Sequence, residues 1–370
     1  MNNNFWQQLK KQKEQNGKPF FALAPMADVT DPAFRLLIAK YGKPDVMWTE
    51  FVSANGLNSK GRDALRVDLQ YSEEERPIVA QLFSADPQNM EVACKLCAEL
   101  GFDGIDINMG CPDKTIEKQG SGAGMIKTPE VAREIISSAK RGIKSSGRDI
   151  PLSVKTRVGY NHPDIKNWIG MILEQDIQAL TVHARTRKDL SKVPANWNYI
   201  KEVVSLRDKI APDTVIIGNG DIISLAEGID KASYSGADGV MVGRALFGNP
   251  WFFDPTREVV AVLPKRAPWI LRKLPFIKKF FDTKRGAPIS NAKPITIQER
   301  LSVMVEHAEI FEKMLVNKSV GGKSFNILKK HMKAYVTGFD GAKDLRVKLM
   351  EKANNSKDVK EIVGEFLTKY

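Results

Sequence analysis

The chain has 370 residues, of which 42% are hydrophobic, and a formal net charge of +12. This length and composition allow a large buried core and exclude a disordered protein, and no apolar run reaches the roughly 18 residues of a membrane span. Three cysteines are too few for a disulfide framework, and residues 1–19 form a polar lead-in without a secretory leader. We therefore predict a cytoplasmic globular protein.

Residues 20–253 repeat one pattern: a strand-like apolar run, a loop with polar or glycine residues, and a helical segment. The eight runs are FFALAPM, DVMWTEF, PIVAQLF, GIDINMG, PLSVKTRV, ALTVHAR, DTVIIGNG and GVMVGRA. Eight βα units predict an α/β fold, a (β/α)8 TIM barrel, whose active site forms where the strands end. Capping residues followed by proline predict helix starts at Asp31-Pro32, Asp86-Pro87, Thr128-Pro129 and Asn249-Pro250.

The most informative stretch runs from Gly104 to Gly124 and joins a β-branched apolar run to a glycine-rich polar tail. It predicts a buried strand that delivers Cys111 to a flexible loop. Taken alone, Cys111 is equally well explained as a small buried hydrophobe. Cys94 and Cys97 are spaced as on a helix, which favours a buried helix face over a redox or zinc pair, and no metal site is expected.

The ends of the runs carry polar and charged side chains that a barrel would bring to one mouth. Lys155 and Arg157 alternate on one strand face, and a bound anion would explain two charges that are costly to bury unpaired. His183 alone could be a core histidine, and Gly220 and Gly243 either fit a phosphate or turn the chain. The candidates are Pro25, Met26, Ala27, Glu50, Gln81, Asn108, Cys111, Lys155, Arg157, His183, Arg185, Asn219, Gly220, Asp221, Gly243 and Arg244.

The C-terminal third has a different character. Residues 254–296 form a basic linker or insertion, and between Pro264 and Lys293 nine basic residues stand against one acid, Asp282. Such a run indicates a polyanionic partner, nucleic acid or anionic lipid, unless it is simply a solvated face. Residues 297–370 have helical periodicity and predict a bundle of about four helices. The second of these has a basic side formed by Lys329, Lys330, His331 and Lys333.

Seven blocks carry a family resemblance: APMADVTDPAFR, VAQLF, DINMGCPDKTIEKQGSGAGMI, VKTRVGY, LTVHARTR, GNGDI and VGRALFGNPW. In this order they resemble the tRNA-dihydrouridine synthases, most closely the bacterial B-type branch, over about residues 20–253. The resemblance implies an oxidoreductase that uses FMN and NADPH to reduce the C5–C6 double bond of specific uridines in tRNA. The loop Val193–Trp197 and the long basic linker depart from the family pattern, which leaves tRNA docking and the choice of uridine open.

The resemblance also implies residue roles. Cys111, in the motif GCP, would give a proton to C5 after hydride from reduced FMN reaches C6. FMN would contact Pro25, Met26, Ala27, Gln81, Lys155, His183, Asn219, Gly220, Asp221, Gly243 and Arg244. Together with the charge pattern, it predicts substrate contacts at Asn108, Lys114, Arg157, Arg185, Arg272, Lys273 and Lys330. The segment after Cys111 would be a mobile loop, and the helical residues 297–370 would bind tRNA as part of a monomer.

Two other functions remain open at the level of the sequence. One is an FMN barrel acting on a free pyrimidine, similar to a dihydroorotate dehydrogenase, which leaves the basic segment and the helical bundle without a purpose. The other is a tRNA-binding module without redox activity, against which the set Cys111, Lys155 and His183 argues. Bound flavin and tRNA-dependent NADPH oxidation would distinguish these functions.

Overall fold

The computed structural model describes residues 4–259, 292–316, 318 and 320–369. The chain divides into two compact units. The first comprises Met1–Asp31, Pro44–Ile222 and Gly228–Gly243, and the second comprises Pro32–Lys43, Ile223–Glu227 and Arg244–Tyr370. The predicted tRNA contacts Arg272 and Lys273 lie outside the described residues. No helix in the described ranges is long and apolar enough to cross a membrane.

Eight parallel strands form the first unit's sheet, in the order β1-β8-β7-β6-β5-β4-β3-β2. A bridge between Ala22 and Val46, with Leu23 N donating to Val46 O at 3.0 Å, joins the two end strands. The predicted (β/α)8 barrel and its eight strands are therefore confirmed. The strands are β1 (Phe20–Leu23), β2 (Met47–Ser53), β3 (Ile78–Phe83), β4 (Gly104–Met109), β5 (Leu152–Arg157), β6 (Ala179–His183), β7 (Val215–Asn219) and β8 (Gly239–Val242).

Helices alternate with these strands along the chain. They are α1 (Phe5–Asn16), α2 (Pro32–Tyr41), α3 (Ala54–Leu57), α4 (Arg62–Leu65), α5 (Pro87–Glu99), α6 (Lys114–Lys118), α7 (Pro129–Ser145), α8 (Gly170–Leu173), α9 (Asn198–Ile210) and α10 (Leu225–Ser235).

Three of the four predicted proline helix starts, at Pro32, Pro87 and Pro129, are confirmed. The fourth, at Asn249-Pro250, is wrong. There the amide of Asn249 bonds to Leu246 O at 3.0 Å and that of Phe252 to Asn249 O at 3.3 Å, so the backbone makes successive turns instead of a helix.

The barrel core is aromatic and aliphatic, and the N-terminal lead-in takes part in it. Helix α1 carries Trp6, which is fully buried with its ring centroid 5.6 Å from that of Trp48 and 6.0 Å from that of Phe20. Helix α5 buries both Cys94 and Cys97, as their helical spacing predicted. Burial raises the pKa of the Cys97 thiol to about 12, so it stays protonated and inert at neutral pH.

The second unit is largely helical, as predicted. A two-stranded ladder pairs β9 (Arg257–Glu258) with β10 (Lys293–Pro294). Four α-helices follow in the described residues after 292: α11 (Ile297–Phe311), α12 (Lys329–Tyr335), α13 (Ala342–Lys352) and α14 (Ser356–Leu367).

Helix α12 differs from the prediction at one residue. His331 is fully buried and stacks on Phe247 with ring centroids 5.5 Å apart, so it is not part of the basic side. The neighbouring lysines suggested that His331 shared their side of the helix, whereas its spacing from Leu328, Met332 and Tyr335 places it on the buried face.

Candidate active site

The predicted site residues at the ends of the central strands are neighbours in the sheet. Asn108 of β4 pairs in register with Lys155 of β5, and Arg157 of β5 pairs with His183 of β6, which in turn pairs with Asn219 of β7. Because all these strands are parallel, their carboxyl ends lie at one edge of the sheet. The structure therefore places these side chains at the same barrel mouth.

A chain of buried hydrogen bonds leads to Cys111. Asn108 Oδ1 accepts from the backbone amide of Cys111 at 2.9 Å, and Asn108 Nδ2 donates to Gln81 Oε1 at 3.0 Å. Gln81 Nε2 donates in turn to Asp106 Oδ2 at 2.6 Å, and Ser153 Oγ donates to Asp106 Oδ1, also at 2.6 Å. Sequence reasoning missed Asp106 and Ser153. The available signal was a carboxylate inside the otherwise apolar run GIDIN.

Two cations lie on the neighbouring strand. Burial, and after it the charge of Arg157, lower the pKa of Lys155 to about 8, while the charge of Asp106 opposes the shift. Burial likewise lowers the pKa of Arg157 to about 10. Burial raises the pKa of Asp106 to about 6, against the hydrogen bonds from Ser153 and Gln81. Near pH 7 both Lys155 and Arg157 are therefore cationic, and the carboxylate of Asp106 is buried on the neighbouring strand β4.

Arg157, the last residue of β5, connects the loops that follow β4 and β6. Its Nε donates to Gly110 O at 2.8 Å, directly before Cys111, and its Nη1 donates to Thr186 O at 3.2 Å. Nη1 also lies 3.4 Å from His183 Nδ1. Arg157 is only 8% exposed, so its predicted substrate contact would come from a side chain that already organises the mouth.

The corner after β7 is built around Asp221. Asp221 has a φ of +52°, and its carboxylate pairs with Arg185 Nη2 and accepts from Ala195 N at 2.9 Å. Gly220 has a φ of +132°, and a Cβ there would meet Ala195 Cβ at 2.8 Å, so glycine is required at this position. Next to it, Asn219 Nδ2 donates to Met241 O at 2.9 Å.

The segment after β1 forms the next part of the mouth. Met26 O accepts from Val29 N at 3.1 Å and from Thr30 N at 3.0 Å, which makes a tight turn. Pro25 is buried and Ala27 is exposed. A Cβ on Gly243 would lie 3.3 Å from Met26 Sδ, so the ends of β1 and β8 approach closely here.

Cys111 begins a segment that is helical, where a flexible loop was predicted. Asp113 caps α6 by accepting from Thr115 N at 2.8 Å, and a 3-10 helix (Gly122–Lys127) follows. Ala123 N donates to Cys111 O at 2.9 Å, which ties the segment back onto the cysteine. Burial raises the pKa of the half-buried Cys111 thiol, and Lys114 is exposed on α6.

An ion pair that sequence reasoning also missed holds this segment. Arg187, after β6, donates through both Nε and Nη2 to Glu117 of α6, with Nε 2.7 Å from Oε1. The Glu117 side chain is only 8% exposed, and the Arg187 guanidinium lies 5.4 Å from the centroid of the Tyr160 ring. Because Glu117 and Arg187 are 70 residues apart, no local sequence motif predicts that they pair.

The mouth has features that fit a planar, anionic cofactor such as FMN. Among the described residues, Arg185 Nη1 is buried without a hydrogen-bond partner, which is a donor suited to an anion beside the Gly220 corner. Lys155, half-buried near the end of β5, offers a positive charge to a flavin ring. The residues present therefore fit the group.

The second unit holds the remaining described candidates. Arg244 opens a 3-10 turn (Arg244–Leu246), and Lys330 lies partly exposed on α12. A groove on α12 and α13 is lined by basic side chains, two apolar side chains and one acidic side chain. Its lining residues are Lys333, Lys343, Arg346, Val347, Met350 and Glu351.

This (β/α)8 barrel carries Cys111, Lys155 and His183 at the carboxyl ends of its strands, which is the arrangement of an α/β-barrel enzyme. Comparison with known families narrows the class. A family model described as Dihydrouridine synthase (Dus) matches residues 22–369. The chain belongs to this family, whose members are flavin-dependent oxidoreductases.

Several relatives match along almost their whole length. A probable tRNA-dihydrouridine synthase 2 from Bacillus subtilis (strain 168) is 35% identical over 372 residues, covering 100% of this chain and 98% of the relative. A probable tRNA-dihydrouridine synthase from Staphylococcus aureus (strain MRSA252) is 35% identical over 368 residues, covering 99% and 96%. One from Staphylococcus epidermidis is 34% identical over 368 residues, covering 99% and 97%.

Proposed function

We propose that this protein is a tRNA-dihydrouridine synthase that uses FMN and NADPH to reduce the C5–C6 double bond of specific uridines in tRNA. The observation that carries the proposal is the position of Cys111: a half-buried thiol at the end of β4, next to the Asn108 and Lys155 pair of the barrel mouth. The full-length match to relatives with this name supports the same substrate.

FMN would bind across the mouth, against residues from most of the barrel strands. When reduced by NADPH and bound there, FMN supplies the hydride that adds to C6 of the uracil. Lys155 provides a positive charge to the ring, and Arg185 Nη1 with the Gly220 corner provides donors for an anion. The proposed contacts are Pro25, Met26, Ala27, Gln81, Lys155, His183, Asn219, Gly220, Asp221, Gly243 and Arg244.

Cys111 is the proposed acid that protonates C5. Addition of hydride at C6 leaves negative charge on C5 and O4, and a proton at C5 completes the saturated ring. Burial raises the pKa of the Cys111 thiol, so the group remains protonated at neutral pH and can serve as a donor. Asn108 holds the Cys111 backbone amide and lies at the right strand end to orient the uracil.

The uridine must leave its base stack to reach a site of this kind, so the enzyme must also hold the surrounding tRNA. We propose that the helical unit and the basic linker bind the phosphate backbone, since both are rich in cations. The proposed contacts are Asn108, Lys114, Arg157, Arg185, Arg272, Lys273 and Lys330. A monomer that works in the cytoplasm is the simplest form of such an enzyme.

The test uses tRNA from cells that lack this protein. Purified protein should be yellow with bound FMN, oxidise NADPH faster when this tRNA is added, and form dihydrouridine detectable by mass spectrometry. Cys111→Ala should keep the FMN and lose at least about a hundredfold in dihydrouridine formation, the lower range for a lost general acid. Cys94→Ala, which changes a fully buried thiol of α5, is the matched control and should stay active.

Two outcomes would contradict the proposal. Reduction of a free pyrimidine without any activity on tRNA would indicate a small-molecule oxidoreductase. Full activity of the Cys111→Ala variant would assign the proton to another donor.

A further inference from the structure

We propose that Asp106 is a positioning residue for Cys111, because its carboxylate sets the direction of the buried hydrogen-bond relay that runs through Gln81 and Asn108 to the Cys111 backbone amide. The functional meaning of this relay rests on the proposed role of Cys111 as proton donor. No motif of the sequence predicted the hydrogen bonds between the side chains of this relay.

At the Cys111 end, backbone chemistry forces the direction of the relay. The amides of Gly110 and Cys111 can only donate, and both meet Asn108 Oδ1, at 3.1 Å and 2.9 Å. The amide nitrogen of Asn108 must then face Gln81, where it donates to Oε1 at 3.0 Å. The orientation of Asn108 is therefore determined before any side-chain partner is considered.

At the other end, the relay needs an acceptor. With its oxygen already engaged, Gln81 has only its Nε2 donor left to satisfy, and it meets Asp106 Oδ2 at 2.6 Å. Ser153 Oγ donates to the second carboxylate oxygen of Asp106 at 2.6 Å. If Gln81 turned over, its oxygen would face the Asp106 carboxylate and its NH₂ would face that of Asn108, so both contacts would be lost together.

Burial prevents the hydrogen bonds of the relay from reversing their direction. Asp106 and Gln81 are 0% exposed and Asn108 is 5% exposed, so water does not replace a lost partner. A buried polar group without a partner is costly, whereas a fully satisfied network selects one arrangement. Asp106 thus acts on the position of Cys111 without touching it.

The first test compares three variants by the rate at which iodoacetamide alkylates Cys111 in the intact protein, followed by mass spectrometry. Asp106→Asn keeps an acceptor for Gln81 and should alkylate within about twofold of the wild type. Asp106→Leu removes the acceptor and should alkylate about tenfold faster, which corresponds to about 1.4 kcal/mol of lost positioning. Ser153→Ala leaves the acceptor in place and should match the wild type.

Buried thiols provide an internal standard for this test. Cys94 and Cys97 are 0% exposed, so their alkylation reports global unfolding and separates it from local release of Cys111. A folded Asp106→Leu protein with wild-type alkylation of Cys111 would overturn the proposal. Alkylation requires neither tRNA nor NADPH, so failure of the proposed activity would be recognised separately, in the wild-type enzyme.

A second test reverses the relay and remains decisive even if Asp106→Leu does not fold. Asn108→Asp still accepts from both backbone amides but forces Gln81 to turn over, which sets two oxygens against each other at Asp106. Adding Asp106→Asn supplies a donor there and should return Cys111 alkylation from about tenfold above the wild type to within about threefold. If the second change does not restore the rate, the relay does not position Cys111.

Discussion

The barrel mouth and the core of the helical unit both bury polar side chains, but they hold them in different ways. At the mouth, Asp106 and Asn108 are joined to their neighbours by directed hydrogen bonds. In the helical unit, His307 is fully buried, and neither ring nitrogen has a hydrogen-bond partner among the described residues. It packs instead against Phe34 and His331, with centroid distances of 5.3 Å and 4.8 Å.

The difference shows what each region is required to do. Hydrogen bonds fix the direction as well as the place of an atom, which a reacting group requires. Aromatic packing fills volume and tolerates an unpaired nitrogen at some cost in stability. A substitution of a polar residue should therefore reduce function at the mouth, whereas in the helical unit it should change stability and its dependence on pH.

The largest effect is expected from Arg157→Met. The change removes the donor to Gly110 O and Thr186 O while keeping similar volume. Two buried carbonyl groups lose a charged partner, so the free energy of unfolding should fall by about 3 kcal/mol and dihydrouridine formation should nearly vanish. Urea unfolding and tRNA assays measure both quantities. Stability equal to that of the wild type would show that water replaces the guanidinium.

A smaller effect is expected from Arg187→Met, which breaks the ion pair with Glu117. The largely buried Glu117 carboxylate is then left without its charged partner, so the segment after Cys111 should loosen at a cost of about 2 kcal/mol. Limited proteolysis should cleave residues 112–125 faster. Adding Glu117→Gln removes the stranded charge and should restore most of the protection, and failure to do so would argue against the pair as the anchor of this segment.

The smallest effect is expected from His307→Phe in the helical unit. Burial and the neighbouring His331 hold the pKa of His307 well below its ordinary value of 6.5. Below pH 6.5 His307 therefore binds a proton in the unfolded chain but not in the folded chain. The free energy of unfolding of the wild type is highest above pH 6.5 and falls as the pH drops below it. The variant should lack this fall, a difference of about 1 kcal/mol by about pH 5.7. The measurement is urea unfolding of the wild type and of the variant, each above pH 6.5 and at about pH 5.7. An equal change in the free energy of unfolding for the two proteins between these pH values would contradict the prediction.

The sequence predicted the parts of this protein that repeat or that lie close together in the chain. Eight apolar runs were enough for the barrel, and the strand ends were enough to bring Asn108, Lys155 and His183 to one mouth. Helical spacing was enough to bury Cys94 and Cys97.

What the sequence did not predict depends on distant partners. Glu117 and Arg187 meet across 70 residues, and Asp106 meets Ser153 across 47. An isolated acid in a strand has no visible partner until register is known. His331 was misplaced for a related reason, because its lysine neighbours hid the face on which it lies.

Helix α1 makes the assembly of the barrel depend on the order of synthesis. It is the first described helix to leave the ribosome, yet Gln7 Nε2 bonds to Asp213 O and Lys13 Nζ to Gly236 O, 206 and 223 residues later. Until that part of the chain is made, Trp6 has no complete core to enter, and contacts so distant in sequence form slowly. The helix can therefore complete its contacts only after β7 has been made, and a chain interrupted before β7 would leave Trp6 without its full set of core partners.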